Sequence, residues 1–190
     1  MKVALHACCG PCFLEPYDAL AAEHDVLIVY ANPNIDPAEE YVRRREALLR
    51  HAEHRGIEVL EIAYQPQLWE SATALARSTK EERCRACYEL RLRLTAEAAV
   101  EEGCEALATT LSVSPYQDQD ALEEIGARIA AAHGLTWLGH DWRSRYPEAT
   151  RRSRELGMYR QNYCGCLPSS EEAERERAER RDARRARKDR

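Results

Sequence analysis

Short apolar runs of strand length alternate with helix-period segments from residue 2 to about residue 139, and this alternation most limits the possible folds. Lys2–Ala7, Asp25–Ala31, Ile57–Ala63, Glu105–Leu111 and Leu135–Gly139 read as strands. The unbroken apolar run of the second suggests burial on both faces. Between the strands, apolar residues recur at helical spacing: Leu14, Tyr17 and Leu20; Tyr41, Leu48, Leu49 and Ala52; Leu90, Leu94 and Ala98; Leu122, Ile125 and Ile129. Pro11 suits a first helical turn, and Gly56, Gly103 and Gly134 suit helix ends. Strands separated by helices imply right-handed crossovers and a mainly parallel sheet with helices on both faces. The expectation is an α/β fold with five strands in the order 3-2-1-4-5, followed by a helical C-terminal part. In that order the first and fourth strands meet at the switch point, where open parallel sheets bind ligands at strand carboxyl ends. Cys8-Cys9 and Thr109–Pro115 both fall there.

Eight cysteines in 190 residues are the chemically informative feature. They sit at 8, 9, 12, 84, 87, 104, 164 and 166. No apolar run approaches the ~20 residues of a membrane helix, and the first residues lack the apolar core of a signal peptide. The expectation is a soluble, cytoplasmic protein without membrane association, where thiols stay reduced. Clustered cysteines in that setting point to metal ligation or redox chemistry rather than a disulfide framework.

Charge is divided unevenly. The net charge is −5, yet residues 171–190 hold nine basic and seven acidic residues, so the body is acidic and the end arginine-rich. Two units follow: residues 1–170 as a catalytic α/β domain with metal-binding cysteines, and 171–190 as a charged tail, helical or disordered. Such a tail can help hold a polyanion, or it can be a solvated helix laced with Glu–Arg pairs.

Cys8, Cys9 and Cys12 lie on a turn entering a helix, where the positive dipole end favours thiolate. Cys84 and Cys87, three apart, project from one helix face. These five thiols suit zinc or iron–sulfur ligation. Four could close a cluster site, leaving one for a neighbouring metal; a closed structural zinc site is the alternative. Cys164-Gly165-Cys166 forms a third group, able to make a small, easily reduced disulfide or to add ligands. Cys104 stands alone beside an apolar strand and reads as a small core residue.

Leu5-His6-Ala7-Cys8-Cys9-Gly10-Pro11-Cys12, Tyr30-Ala31-Asn32-Pro33-Asn34-Ile35, Arg83-Cys84-Arg85-Ala86-Cys87-Tyr88, Thr109-Thr110-Leu111 with Ser114-Pro115, and Tyr159–Cys166 together resemble the QueH-type epoxyqueuosine reductases, in matching order over roughly residues 3 to 168. The α/β reading is then HUP/Rossmann-like. The resemblance implies an oxidoreductase of tRNA processing that reduces epoxyqueuosine to queuosine at wobble position 34, the last step of queuosine biosynthesis, independently of cobalamin. By similarity, Cys8, Cys9, Cys84 and Cys87 would hold a [4Fe-4S] cluster. Cys164 and Cys166 would be a redox-active pair, and Cys12 would lie beside the cluster, where a second mononuclear ion (iron or zinc) could use it. The partners implied are tRNA carrying epoxyqueuosine in its anticodon loop and an electron-donor protein or other reductant. The pattern departs at Ala7, where many members carry another cysteine, and at Gln117, where they carry lysine. The second weakens any phosphate-binding role for that position.

Removing an epoxide oxygen needs two electrons and two protons, and Tyr163, Tyr159 and His6 are the proton donors near the motifs. Tyr30, Tyr88, Tyr116, Tyr159 and Trp142 are stacking candidates for a splayed base, and Arg151, Arg152 and Arg154 are candidates for phosphates. Two other classes compete. An ATP-pyrophosphatase-like hydrolase would need a Ser/Gly-rich phosphate loop where Cys8–Cys12 stands. A zinc-stabilised tRNA/RNA-binding module without redox catalysis would leave Cys164-Gly165-Cys166 unexplained.

Overall fold

A computed structural model of the protein describes residues 1–76 and 79–188, with side chains described through residue 185. The elements alternate as read: β1 (Lys2–His6), α1 (Gly10–Ala21), β2 (Asp25–Tyr30), α2 (Ala38–Arg55), β3 (Val59–Glu61), α3 (Pro66–Thr73), α4 (Lys80–Glu101), β4 (Ala106–Thr109), α5 (Gln119–Ala132), β5 (Thr136–Trp137), α6 (Tyr146–Glu155) and α7 (Leu167–Lys188). The sheet order is β3-β2-β1-β4-β5 and every pairing is parallel.

The two-residue period of the strands sorts the core into two layers. Val3 and Leu5 of β1, Ile28 and Tyr30 of β2, and Ala106 and Ala108 of β4 pack with Phe13, Leu14, Leu48 and Ala149 from α1, α2 and α6. Ala4, Leu27, Val29 and Leu107 face the other way, onto Leu92, Ala96, Leu122 and Ile125 of α4 and α5. Helix ends obey local chemistry. The Thr79 side chain caps α4 by accepting from the Glu82 amide at 3.1 Å, and Asp118 caps α5 by accepting from Ala121 at 3.0 Å. Gly56 closes α2 in the left-handed region at φ 64°.

The edge strands are shorter than their apolar runs. β3 keeps three residues of the expected 57–63 and β5 two of 135–139, since each has one neighbour to pair with. β4 ends at Thr109 rather than Leu111, because the Thr109 hydroxyl accepts from the Leu111 amide at 3.1 Å and turns the chain into a 3-10 turn at Leu111–Val113. The helical stretch expected over 143–156 divides into a 3-10 turn at Arg143–Arg145 and α6, with Pro147 in the first turn of α6. Before α4, the segment around Trp69 forms α3. α7 runs continuously through residue 170 and is helical as far as Lys188. Among the described residues no helix is long and apolar enough to cross a membrane.

Candidate functional site

β1 and β4 are hydrogen-bonded neighbours, and the chain leaves both at the same end of the sheet. His6 pairs in register with Thr109, so Cys8 follows one strand where Thr110 follows the other. The Cys8 amide donates to the Thr110 hydroxyl at 3.2 Å, and that hydroxyl lies 3.5 Å from the Cys8 sulfur. The two crossings thus lock the first cysteine turn onto the switch point. His6 itself is fully buried. Its Nε2 faces the Ala31 carbonyl at 3.3 Å and its Nδ1 the Thr109 hydroxyl at 3.0 Å. A carbonyl only accepts, so Nε2 carries the proton, and burial pushes the ring pKa down to about 3. His6 is a structural neutral imidazole, not a proton source.

The sulfurs of Cys8, Cys9 and Cys12 lie within 4.8 Å of one another. Hydrogen bonds from Cys12 and Cys9 hold Cys8 well below the ordinary thiol value, and Cys12 is pushed up for the complementary reason. Burial raises Cys9, takes Cys84 up to about 11 and Cys87 up to about 12, and raises Cys164 as well. Without a cation these groups largely keep their protons, so metal binding must release them.

Cys8 and Cys12 share one cavity of about 440 Å³ with Cys84 and Cys87 from the first turns of α4 and with Cys164 and Cys166. Cys9 sits behind them, fully buried, with the Gln161 amide 2.8 Å from its sulfur. Cysteines from three distant segments therefore meet in one place. Cys104 does not join them; it is buried in the α4–α5 layer. All eight are free thiols.

Sequence reasoning missed the buried cations of the site. Arg91 is 1% exposed. Its Nη2 donates to Asn32 Oδ1 at 2.6 Å, and Asn32 in turn donates to the Ala7 carbonyl at 2.8 Å. The Arg91 Nε and Nη1 have no hydrogen-bond partner, and the guanidinium acts electrostatically on Cys87, Cys8 and Cys164. A buried cation with orphaned donors beside soft thiols fits an anionic thiolate-bound metal group. The arrangement admits more than one such group. Three thiolates around a single tetrahedral zinc stand about 3.8 Å apart, given Zn–S near 2.3 Å, which suits the compact Cys8–Cys9–Cys12 triad. Cys84 and Cys87, on another wall of the same cavity, make room for a larger centre.

Arg44 is equally buried, and it anchors the third cysteine group. Its Nε donates to Glu40 Oε1 at 2.7 Å, Nη1 to the Cys164 carbonyl at 2.7 Å and Nη2 to the Tyr163 carbonyl at 3.2 Å, with the guanidinium 4.9 Å over the Tyr163 ring. Glu40 also accepts from the Tyr159 hydroxyl at 2.6 Å. Tyr163 lines the cavity, but its hydroxyl donates to the Asp36 carbonyl, and burial pushes its pKa up to about 12. Between the two cysteines, Gly165 adopts φ 154°, and a Cβ there would meet Asn34 Nδ2 at 2.7 Å. Its amide donates to Ser169 and its carbonyl accepts from Asp36, so the loop is held from both sides.

Of the aromatic candidates, Tyr88 and Tyr116 line the cavity, joined by Trp69 of α3. Tyr88 donates to Gln117, whose amide faces Cys164, so position 117 works within the site. Tyr30 is fully buried in the core, and Trp142 packs on His140. Arg151 pairs with Glu148 and Glu155, Arg152 with Glu15 and Asp18, and Arg154 is exposed; none lines the cavity. Sequence gave no sign of Arg44 or Arg91, which read as ordinary charges of helix surfaces.

Comparison with known proteins agrees with this site. The sequence model of the family described as epoxyqueuosine reductase QueH matches residues 3–172. A protein of that description from Thermotoga maritima is 35% identical, covering 93% of this chain and 94% of its own length. One from Dehalococcoides mccartyi is 33% identical, covering 90% and 93%. Another, from Histophilus somni, is 32% identical, covering 88% and 72%.

Proposed function

From the premise that the chain belongs to the QueH epoxyqueuosine reductase family, we propose that it reduces epoxyqueuosine to queuosine at the wobble position of tRNA, in the cytoplasm, without cobalamin. The observation that carries this reading is the meeting of Cys8, Cys12, Cys84, Cys87, Cys164 and Cys166 around one cavity at the switch point. In this reading residues 1–170 form the catalytic body. Cys8, Cys9, Cys84 and Cys87 would hold a [4Fe-4S] cluster, and Cys12 would serve it or an adjacent mononuclear iron or zinc ion. Such centres, when bound, supply single electrons and Lewis acidity.

The chain's own residues provide the rest of the chemistry. Opening an epoxide to an alkene consumes two electrons and two protons and releases water. The Cys164 and Cys166 thiols, closing to a disulfide, release two electrons and two protons, which balances the reaction and leaves the disulfide for an external reductant to reopen. Arg44 and Gly165 hold that pair at the cavity. Tyr163 is the nearest phenol of the loop and would exchange the Asp36 carbonyl for the developing alkoxide as its acceptor. Arg91 supplies fixed positive charge beside the thiolates and needs no proton movement to do so. At about 440 Å³ the cavity lies within the range of small-ligand sites, roughly 300–1,000 Å³, and suits one extruded nucleoside.

The test is direct. Protein purified and reconstituted without oxygen, given a reductant and tRNA carrying epoxyqueuosine, should yield queuosine, seen by mass spectrometry of the nucleosides as loss of one oxygen. The Cys164→Ser and Cys84→Ser variants should lose that conversion. Full turnover by both would overturn the site assignment. A zinc-stabilised RNA-binding module is the second reading, favoured by the triad's spacing alone; it requires RNA binding without any conversion.

A further inference from the structure

The family match ends at residue 172, yet α7 continues to Lys188. Its residues Ser169, Glu172, Ala173, Glu176, Arg177 and Arg180 all line the cavity. Their spacing of three and four is one stripe of a helix. In a core-facing helix that stripe would be apolar; here it is polar, as befits a wall facing a solvated ligand site.

The charges on this wall do not cancel. Lys80, Arg83, Arg177 and Arg180 are the basic residues lining the cavity, against Glu172 and Glu176. Glu172 is taken up by Arg83 at 2.6 Å and Lys80 at 3.3 Å. Glu176 reaches Arg180 at 3.7 Å, on the exposed side. Arg177 donates to the Asn162 carbonyl at 3.2 Å, a neutral partner that fixes the guanidinium without discharging it. A cationic wall therefore stands over the site in a chain whose net charge is −5. Beside it are Trp69 and Tyr116, the latter 74% exposed. Positive charge next to exposed aromatic faces is the signature of a single-stranded nucleic-acid channel.

We propose that α7 is an RNA-binding rail, on which Arg177 and Arg180 hold the phosphates flanking the nucleotide inserted in the cavity. This deepens the tRNA reading above and rests on it. The α6 arginines are poorly suited to the task, since Arg151 and Arg152 already have carboxylate partners.

The experiment measures binding of an anticodon stem-loop RNA by fluorescence anisotropy over a range of KCl concentrations. It compares wild type, Arg177→Gln/Arg180→Gln, and the control Arg175→Gln/Arg185→Gln, whose exposed arginines lie off the stripe. At about 0.7 per contact for single strands, losing two phosphate contacts should flatten the slope of log K against log[salt] by about 1.4. The 177/180 variant should show this and a raised KM for RNA, with metal content and Tm unchanged, while the control keeps the wild-type slope. Unchanged RNA binding in the 177/180 variant overturns the rail and turns the basic wall toward a protein partner. An equal loss in the control also overturns it, because bulk charge is then the cause. Absence of RNA affinity in wild type would bring down the tRNA reading along with the rail.

Discussion

Replacing Arg44 by methionine should loosen the Cys164–Cys166 loop from α2 and cost several kcal/mol. Arg44 is 1% exposed and makes one ionic and two carbonyl hydrogen bonds. Removing one member of a buried ion pair costs about 3–5 kcal/mol, because the partner stays behind desolvated. Glu40, itself buried, would keep the Tyr159 hydroxyl and a distant contact to the exposed Arg43 at 3.9 Å. In a chain of 190 residues each kcal/mol moves Tm by roughly 2–4 °C, so a fall of about 6–20 °C is expected in metal-free protein. Alkylation of Cys164 and Cys166, followed by mass spectrometry, should speed up well below the melting transition, while Cys104 stays protected. The double variant Glu40→Gln/Arg44→Met should recover part of the loss, since no charge is then buried alone. A drop of under about 2 °C with unchanged alkylation would refute the anchoring role of Arg44.

Gly165→Ala should destabilise by about 1–3 kcal/mol, since the residue must leave φ 154° or push Asn34 aside; denaturant unfolding would show it, and an unchanged midpoint would count against the tight loop. Arg91→Met should lower the midpoint potential of the reconstituted centre, because a nearby cation favours the more negative, reduced state. For a charge about 8 Å away at an effective dielectric of about 20, the effect is roughly 2 kcal/mol or ~90 mV, measurable by a titration followed by electron paramagnetic resonance; an equal or higher potential would contradict it. His6 binds protons less readily when folded, about 3 against the ordinary 6.5, so its contribution to stability is full above pH 6.5 and is lost as pH falls toward 3. Below pH 6.5 wild type should lose up to about 1.4 kcal/mol per pH unit more than His6→Gln in urea unfolding; parallel slopes would refute this.

The sheet order was legible because five apolar runs separated by helical periods leave few parallel arrangements, and the switch point then placed Cys8 opposite Thr110. Strand ends were not legible. Ile57 and Leu135 are apolar and buried, but burial at a sheet edge does not require ladder pairing. The cysteine spacings marked the three thiol groups, since two thiols three apart on a helix have one direction to point. What holds those thiols was hidden: Arg44 and Arg91 lie on helices where charge ordinarily faces water, and only packing against α2 and the Asn32 turn shows them turned inward. The tail gave composition without direction. Its helix phase relative to the cavity, which separates Arg177 and Arg180 from Arg175 and Arg185, is set by how α7 leaves the Cys166 turn.

The most direct test of the central claim is iron, zinc and acid-labile sulfide content of the chain isolated without oxygen. The account predicts about four irons and four sulfides per chain, with room for one additional metal ion, and loss of sulfide in Cys84→Ser. Zinc without sulfide, persisting through anaerobic reconstitution, would contradict it.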